Sequence, residues 1–274
     1  MKRYRHYNKD KAIILSVFGS VIEQQKYQDL KKEIEKRFKG FDVFIAVSSR
    51  MVLKDLIKKG FDYKNLAQTM ADVDMMGYRN IVVASINLFP ACEHDFVLKT
   101  AKGFREFSFS HIRVSNAILT RTKDTTLFLK ELDETISKKD TANLYIIHGT
   151  PKLELGGLRS AAYTDEFLKM LNPNNITCSL EGAHPFFALK DAIIREIKAK
   201  GLKKVQIVPM LLVAGNHYIK DMFEIKDELT PHFKTKIVKS ITKDKKFNLI
   251  EIPKVVDIIS ANIQEEITKL GHGK

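Results

Sequence analysis

"KGLKKVQIVPMLLVAGNHY", residues 200–218, decides the fold because it repeats an earlier part of the chain. It aligns without gaps with "MGYRNIVVASINLFPACEH", residues 76–94, at an offset of 124 positions (201 − 77 = 124). In each copy a glycine precedes an apolar run as long as a buried strand, and a polar segment follows. The same offset pairs Glu93 with His217 (93 + 124 = 217). The repeat therefore predicts two similar halves, each with a polar residue just beyond the same strand.

Short β-branched runs alternate with longer amphipathic stretches over the whole chain, which is typical of parallel βαβ units. We expect an α/β fold of two similar Rossmann-like halves, each a four-stranded parallel sheet flanked by helices. The polar segment "SKKDTAN" (137–143) predicts their boundary, with halves of 1–140 and 141–274. The predicted strands are Ala12–Phe18, Val43–Ser48, Ile81–Leu88, Ile112–Leu119, Leu144–His148, Ile176–Leu180, Val205–Leu212 and Thr235–Ser240. The predicted helices include Ile22–Phe38, Leu66–Met76, Thr126–Ser137, Ala183–Lys198 and Val255–Leu270.

The chain is strongly basic, since 46 Lys and Arg against 33 Asp and Glu give a net charge of +13 over 274 residues. Such an excess can attract a polyanion or a small polycarboxylate, or simply keep the surface soluble; both interpretations stay open. Lysines alternate with acidic residues on predicted helices, as in "LKKEIEKRFKG" (30–40). This pattern favours solvated helix faces over a nucleic-acid surface, which requires basic residues clustered on one side. We expect no nucleic-acid partner.

The cysteines and the start of the chain bear on its compartment. Only Cys92 and Cys178 occur, outside any CxxC pattern, which argues against a disulfide framework and favours a reducing environment. The N-terminal segment lacks a convincing signal cleavage site, and no apolar segment approaches the length of a membrane span. We expect a cytoplasmic protein without membrane contact, and leave open whether it is a monomer or a homo-oligomer.

Three polar residues stand at predicted strand ends in the second half. His148 ends "LYIIHGT" (144–150), Glu181 follows the strand in "ITCSLEGAH" (176–184), and His217 comes after Gly215. Ligands of open parallel sheets bind beyond the carboxyl ends of the strands. A lone strand-end histidine is more often a capping or packing residue, and a glutamate before glycine is most often a turn acceptor. Together, two imidazoles and a carboxylate can bind a first-row divalent metal with positions left for a substrate.

The stretch "IVPMLLVAGNHYIKDM" (207–222) closely resembles the strand and histidine loop of the anaerobic sirohydrochlorin cobaltochelatases, class II tetrapyrrole chelatases related in fold to ferrochelatase. Further matches follow in order over most of the chain: "AIILSVFGS" (12–20), "VSSRMVLKDL" (47–56), "HGT" (148–150) and "LEGAHP" (180–185). The resemblance implies a chelatase-like fold with its active site in a cleft between the halves. It also implies a lyase that inserts Co²⁺ or Fe²⁺ into sirohydrochlorin without ATP, in cobalamin or siroheme biosynthesis.

The resemblance also implies roles for individual residues. His148 matches the metal-binding and proton-accepting histidine, and Glu181 and His217 match the other two metal ligands. Glu93 matches a catalytic acidic residue across the cleft, while Arg50 and Tyr163 are candidates for substrate binding. The expected partners are a tetrapyrrole with multiple carboxylates and a divalent metal (Co²⁺, Fe²⁺ or Ni²⁺) that is a substrate. We expect no permanently bound cofactor.

Several positions depart from the family pattern around the predicted pocket. Ile147 stands where the family usually has glycine, and the segment 151–162 lacks an extra histidine. Gly182 and Ala183 replace a bulky aromatic residue. These departures bear on which tetrapyrrole and which metal are used. Two other interpretations therefore remain: a non-catalytic tetrapyrrole or haem carrier, and a metal-dependent hydrolase or lyase on the same fold.

Overall fold

Eight strands and ten α-helices alternate along the part of the chain that the computed structural model describes, residues 5–242 and 246–271. The strands are β1 (Lys9–Val17), β2 (Asp42–Val47), β3 (Tyr78–Ile86), β4 (His111–Val114), β5 (Ala142–Ile147), β6 (Asn175–Ser179), β7 (Lys204–Met210) and β8 (Lys234–Ile237). The helices are α1 (Gln25–Arg37), α2 (Arg50–Lys58), α3 (Leu66–Met75), α4 (Cys92–Arg105), α5 (Thr122–Ile136), α6 (Gly156–Leu171), α7 (Phe186–Ala199), α8 (Asn216–Ile219), α9 (Asp221–Leu229) and α10 (Pro253–Gly271).

The strands form two four-stranded parallel sheets of the same topology. Their orders are β2-β1-β3-β4 and β6-β5-β7-β8, so each strand of the second sheet corresponds to the strand four earlier in the first. All strand pairs within both sheets are parallel. The predicted fold class, two similar α/β halves with four parallel strands each, is confirmed.

The 124-residue repeat corresponds to equivalent backbone positions in the two sheets. Gly77 and Gly201 precede β3 and β7 with φ angles of 82° and 68°, in the left-handed region that favours glycine. The two strands end at Ile86 and Met210, which are 124 positions apart (210 − 86 = 124). The glycine in the sequence repeat therefore marks the same turn into the same strand.

Two strands end earlier in the structure than the sequence predicts. β4 ends at Val114 rather than at Leu119, because the last bond to its neighbour runs from the Ser115 amide to the Val83 carbonyl (3.0 Å). β8 likewise ends at Ile237 rather than at Ser240. The apolar pattern continues past β4 because Leu119 and the residues just before it are buried without belonging to the sheet.

The first sheet is buried by helices through near-continuous apolar strands, as expected for parallel sheets covered on both faces. In β1 the last six residues are all buried, and so are the last six of β3. One cluster of buried side chains joins the sheet to α3 and α4: Ala12, Ile14, Ala46, Leu66, Met70, Val73, Tyr78, Ile81, Val83, Val97, Ala101 and Ile112. This packing holds α3 and α4 against the first sheet.

The compact units of the chain differ from the predicted halves. One unit comprises residues 1–118 and 256–274, and the other comprises residues 119–255. The C-terminal helix belongs with the first unit because Asp257 accepts from Arg37 (2.8 Å). The segment predicted as a boundary lies inside the second unit, where Ser137 Oγ accepts from Asn143 (2.8 Å). Within residues 5–242 and 246–271, no helix is both long and apolar enough to cross a membrane.

Candidate active site

The three predicted metal-binding residues lie at one edge of the second sheet. His148 directly follows β5, Glu181 comes two residues after β6, and His217 lies in α8 after β7. Because β6, β5 and β7 are neighbours and parallel, their carboxyl ends adjoin. All three residues belong to the same compact unit, residues 119–255. The sequence placed them at strand ends, and the strand order brings them together.

The two imidazoles face each other through their Nε2 atoms. These atoms are 3.2 Å apart, and the rings are perpendicular with centroids 4.7 Å apart. For metal–nitrogen bonds of about 2.1 Å, this separation corresponds to a nitrogen–metal–nitrogen angle of about 100°. That angle lies between about 90° for adjacent octahedral ligands and about 109° for tetrahedral ligands. The pair is therefore spaced to hold one first-row ion between two ligating nitrogens.

The outer nitrogen of each imidazole faces a carboxylate. His217 Nδ1 is 2.5 Å from Asp221 Oδ2, and His148 Nδ1 is 3.6 Å from Glu181 Oε1. Glu181 thus lies on the side of His148 away from the Nε2 pair. Over the described ranges, no three or more His, Cys, Asp or Glu side chains are arranged as a metal-binding group. The ligand role of Glu181 stays a prediction, and it requires this side chain, 62% exposed, to rotate toward the Nε2 pair.

Two glycines let the loops after β5 and β6 cross at close range. A Cβ atom on Gly149 (φ 103°) would lie 1.8 Å from the carbonyl oxygen of Glu181. A Cβ on Gly182 (φ 74°) would lie 2.1 Å from the carbonyl oxygen of Thr150. The Glu181 amide also donates to the carbonyl of His148 (3.2 Å). This close crossing keeps His148 beside Glu181, and it requires glycine at position 182 in this chain.

The turn after β6 is held by the side chain of Ser179. Its Oγ lies 2.7 Å from the carbonyl of Ala183 and 2.9 Å from that of Glu181. The Ser179 amide donates to the carbonyl of His184 (3.0 Å). His184 itself has a φ of 57°, which a non-glycine residue adopts only when its surroundings impose it. The loop carrying Glu181 is therefore a fixed turn with an exposed carboxylate at its tip.

The remaining predicted residues lie elsewhere. Glu93 is in the first turn of α4 and Arg50 begins α2, both in the first unit. Tyr163 lies on α6, with its hydroxyl 2.5 Å from Thr126 Oγ1. Thr126 Oγ1 donates to the Thr122 carbonyl (2.7 Å), so the Tyr163 hydroxyl donates to Thr126, and a substrate carboxylate that accepts from this hydroxyl would have to displace that bond. The roles of these three residues stay predictions.

A buried polar network next to Glu93 was missed in the sequence. His94 Nδ1 is 2.8 Å from Ser85 Oγ, which also accepts from the Asn87 amide nitrogen (2.9 Å). Burial lowers the pKa of His94 below its usual range, so this imidazole is uncharged at neutral pH. The available signal was the placement of Ser85 near the end of the apolar run of β3 and of Asn87 directly after that strand.

Asp221 was also missed, although it stands four residues after His217. That spacing puts two side chains on one face of a helical segment, where an acidic residue can reach an imidazole. Its contact with His217 is the shorter of the two carboxylate contacts at the site.

Fold and site together define an α/β protein with two parallel sheets of equal topology, one carrying paired imidazoles at its carboxyl edge. The family described as cobalt chelatase (CbiK) matches residues 11–267. The chain therefore belongs to this family of chelatase enzymes, and the family resemblance stated from the motifs is confirmed.

Individual relatives are distant in sequence. The sirohydrochlorin cobaltochelatase of Salmonella typhimurium is 20% identical over 218 residues, covering 77% of this chain and 80% of the relative. The sirohydrochlorin cobaltochelatase CbiKC of Nitratidesulfovibrio vulgaris is 22% identical over 218 residues, covering 77% and 75%. The crystal structure of sirohydrochlorin chelatase SirB from Bacillus subtilis subspecies spizizenii in complex with cobalt matches with a TM-score of 0.65 at 14% identity. The match covers 96% of this chain and 98% of the SirB chain, which establishes a shared fold.

Proposed function

We propose that this protein inserts a divalent metal ion, Co²⁺ or Fe²⁺, into sirohydrochlorin without ATP, as a step of cobalamin or siroheme biosynthesis. The observation that carries the proposal is the pair of Nε2 atoms 3.2 Å apart at the carboxyl edge of the second sheet. Membership of the cobalt chelatase family and the names of the two relatives support the same substrate.

The chemistry of metal insertion matches an imidazole pair. Two pyrrole N–H protons leave the macrocycle while one M²⁺ enters, so the protein must both carry the ion and accept protons. Imidazole is suited to both tasks, because its neutral form binds first-row metals and it exchanges protons near neutral pH. Two nitrogen ligands with the other positions left to water also bind weakly enough for the ion to leave.

The two histidines would divide these tasks. His148 and His217 hold the ion through Nε2, and transfer of the ion to the macrocycle frees the Nε2 of His148 to accept a pyrrole proton. Glu181, 3.6 Å from the other nitrogen of His148 and exposed to water, offers that proton a way out. Glu93 is proposed to receive the second proton.

An exposed apolar side chain follows each of the three site residues closely in the chain. Leu153 is 76% exposed, Phe187 is 78% exposed and Ile219 is 49% exposed. They follow His148, Glu181 and His217 by five, six and two positions. Exposed apolar side chains of this size mark interaction surfaces when they cluster, and we propose that these three contact the flat face of the macrocycle.

The charge of the protein suits the rim of the macrocycle, which carries multiple carboxylates. A net charge of +13 raises the local concentration of such a polyanion. Screening limits this attraction to about 8 Å at physiological salt, so individual cations must hold the carboxylates at short range. Arg50, the exposed first residue of α2, is proposed as one of them.

The test is an absorption assay with metal-free sirohydrochlorin and Co²⁺, Fe²⁺ or Ni²⁺ in turn. A chelatase accelerates the spectral change of metallation over the protein-free reaction with at least one of these ions. A carrier would bind the tetrapyrrole, seen as a shift without acceleration, and that result would contradict the proposal. Failure to bind any tetrapyrrole would instead favour a metal-dependent hydrolase or lyase.

A further inference from the structure

Asp221 makes the shortest polar contact of the site. Its Oδ2 lies 2.5 Å from His217 Nδ1, and the aspartate side chain is only 27% exposed. A carboxylate can only accept a hydrogen bond, so Nδ1 must carry the proton that is shared. Charge-assisted bonds of this length are among the stronger hydrogen bonds in proteins. The contact therefore restrains both the ring orientation and the position of its proton.

Asp221 has no carboxylate counterpart at the offset position of the first unit. The 124-residue offset places it opposite Val97 (221 − 124 = 97), which is fully buried in the continuous helix α4. In the second unit the helix is interrupted instead: α8 ends at Ile219 and α9 begins at Asp221. The second unit thus has a carboxylate and a helix break where the first has a core side chain.

The two imidazoles are held unequally. The contact at His217 is 2.5 Å, whereas Glu181 stands 3.6 Å from His148 Nδ1, beyond hydrogen-bond distance. Metal-binding histidines commonly donate their second ring N–H to a carboxylate, which fixes the tautomer and the direction of the ligating lone pair. By this criterion His217 is the restrained ligand and His148 is the freer one.

We propose that Asp221 is a positioning residue, which fixes His217 in the tautomer with an unprotonated Nε2 and holds that lone pair toward the ion. His217 then anchors the metal, while the less restrained His148 exchanges the metal for a proton. The inference rests on the proposed function, because it assigns Asp221 to the same site.

The alternative is that Asp221 has a purely structural role, and the experiments must distinguish this from positioning of His217. Asp221 lies in the first turn of α9, where a negative charge also stabilises the helix end, but Glu224 lies in that turn as well. Asp227, an exposed aspartate further along α9, gives a matched control for loss of one charge from this helix. Asp221→Asn removes the charge yet keeps an oxygen that can accept from Nδ1–H. Asp221→Ala removes both.

The first measurement is the tautomer of His217 in the metal-free protein, by long-range ¹⁵N–¹H spectra with the signals assigned through His217→Gln. Wild type should carry the proton on Nδ1, Asp221→Asn should keep it there, and Asp221→Ala should shift the population toward Nε2–H. A wild-type His217 protonated on Nε2 would overturn the inference, whether or not any variant folds poorly.

The second measurement uses Co²⁺ alone and then the complete reaction. Asp221→Ala should weaken Co²⁺ binding and raise the KM for Co²⁺ by about 10–100-fold, with partial rescue in Asp221→Asn and no change in Asp227→Asn. Equal Co²⁺ affinity in wild type and Asp221→Ala would overturn the inference, and so would an equal loss in Asp227→Asn. If the wild type binds Co²⁺ but does not metallate sirohydrochlorin, the proposed function fails while the tautomer and the Co²⁺ affinity still decide the role of Asp221.

Discussion

The two units use the same backbone for different chemistry at the carboxyl edges of their sheets. In the first unit the amide of Ser49 donates to the carbonyl of Phe18 (3.2 Å), and in the second the amide of Glu181 donates to the carbonyl of His148 (3.2 Å). Each crossing follows a glycine of positive φ, Gly19 (95°) after β1 and Gly149 (103°) after β5. The loop framework is thus common to both units, and only the second places an imidazole and a carboxylate on it.

The same contrast holds after the repeated strands. Glu93 and His94 correspond to His217 and Tyr218 (218 − 94 = 124). All four lie in the opening turn of a helix. The second residue of each pair is buried, and His94 bonds to Ser85, whereas the first residue of each pair is partly exposed. The comparison teaches that one backbone scaffold carries different side chains at its two carboxyl edges, with His217 in the second unit where the first has Glu93.

The largest effect is expected from removing the imidazole pair. The double variant His148→Ala, His217→Ala should lose at least about 100-fold in insertion rate, because ligation and proton transfer disappear together. The measurement is metallation of sirohydrochlorin by absorption. The control is His232→Ala. His232 is exposed and lies just before β8, so it lies at the amino ends of the strands, opposite the site, and this variant should insert metal at the wild-type rate. Unchanged activity in the double variant would contradict the site.

The second largest effect is expected at the close crossing of the loops after β5 and β6. Gly149→Ala places a Cβ 1.8 Å from the Glu181 carbonyl, so backbone must move, whereas a Cβ on Gly60 (φ 84°) meets nothing within 4 Å. Gly60→Ala should cost about 1–2 kcal/mol for its left-handed backbone. Gly149→Ala should cost about 1–3 kcal/mol more and slow insertion. Urea unfolding of both variants checks the difference, and equal midpoints would show that the crossing is not tight.

Equivalent positions in the two units should separate stability from activity. Ser49 caps α2 by accepting from the Val52 amide (3.4 Å), so Ser49→Ala should lose about 0.5–2 kcal/mol of stability without slowing insertion. Glu181→Ala should slow insertion about 10–100-fold with little change in stability, since its side chain is exposed. Melting temperature and insertion rate, measured on both variants, test this separation. A loss of insertion rate in Ser49→Ala but not in Glu181→Ala would show that the first unit, and not the second, carries the activity at these positions.

The smallest effect is a pH dependence of stability to which His94, in the first unit, should contribute. Burial lowers the pKa of His94, so below the ordinary histidine pKa of about 6.5 the unfolded chain binds the proton more readily than the folded one. Stability should therefore fall as the pH decreases from about 6.5 toward the lowered pKa of His94. His94→Gln, which keeps a partner for Ser85 without titrating, should lose this component. Denaturant unfolding of both proteins between pH 7 and pH 5 measures it; parallel curves would contradict the prediction.

Much of this architecture was predictable, because strands that are buried on both faces of a sheet appear in the sequence as uninterrupted apolar runs. All eight predicted strands overlap the observed ones, and the 124-residue offset fixed the correspondence of β3 and β7. The ends of β4 and β8 were not predictable, since side chains such as Leu119 are buried by the fold without pairing. The return of α10 to the first unit depends on contacts such as Arg37 with Asp257, which no local pattern indicates.

The sequence by itself determined the α/β class, the repeat of one strand and its flanking segments in the two halves, and the placement of His148, Glu181 and His217 at strand ends. It could do so because hydrophobic periodicity and glycine placement are local properties. Only the tertiary structure decided that the Nε2 atoms of two histidines 69 positions apart lie 3.2 Å from each other. It likewise decided that Glu181 faces the outer nitrogen of His148 and that Asp221 holds His217. The physical reason is that strand order selects the edge, whereas the direction of a side chain is set by packing and hydrogen bonds with residues remote in the chain.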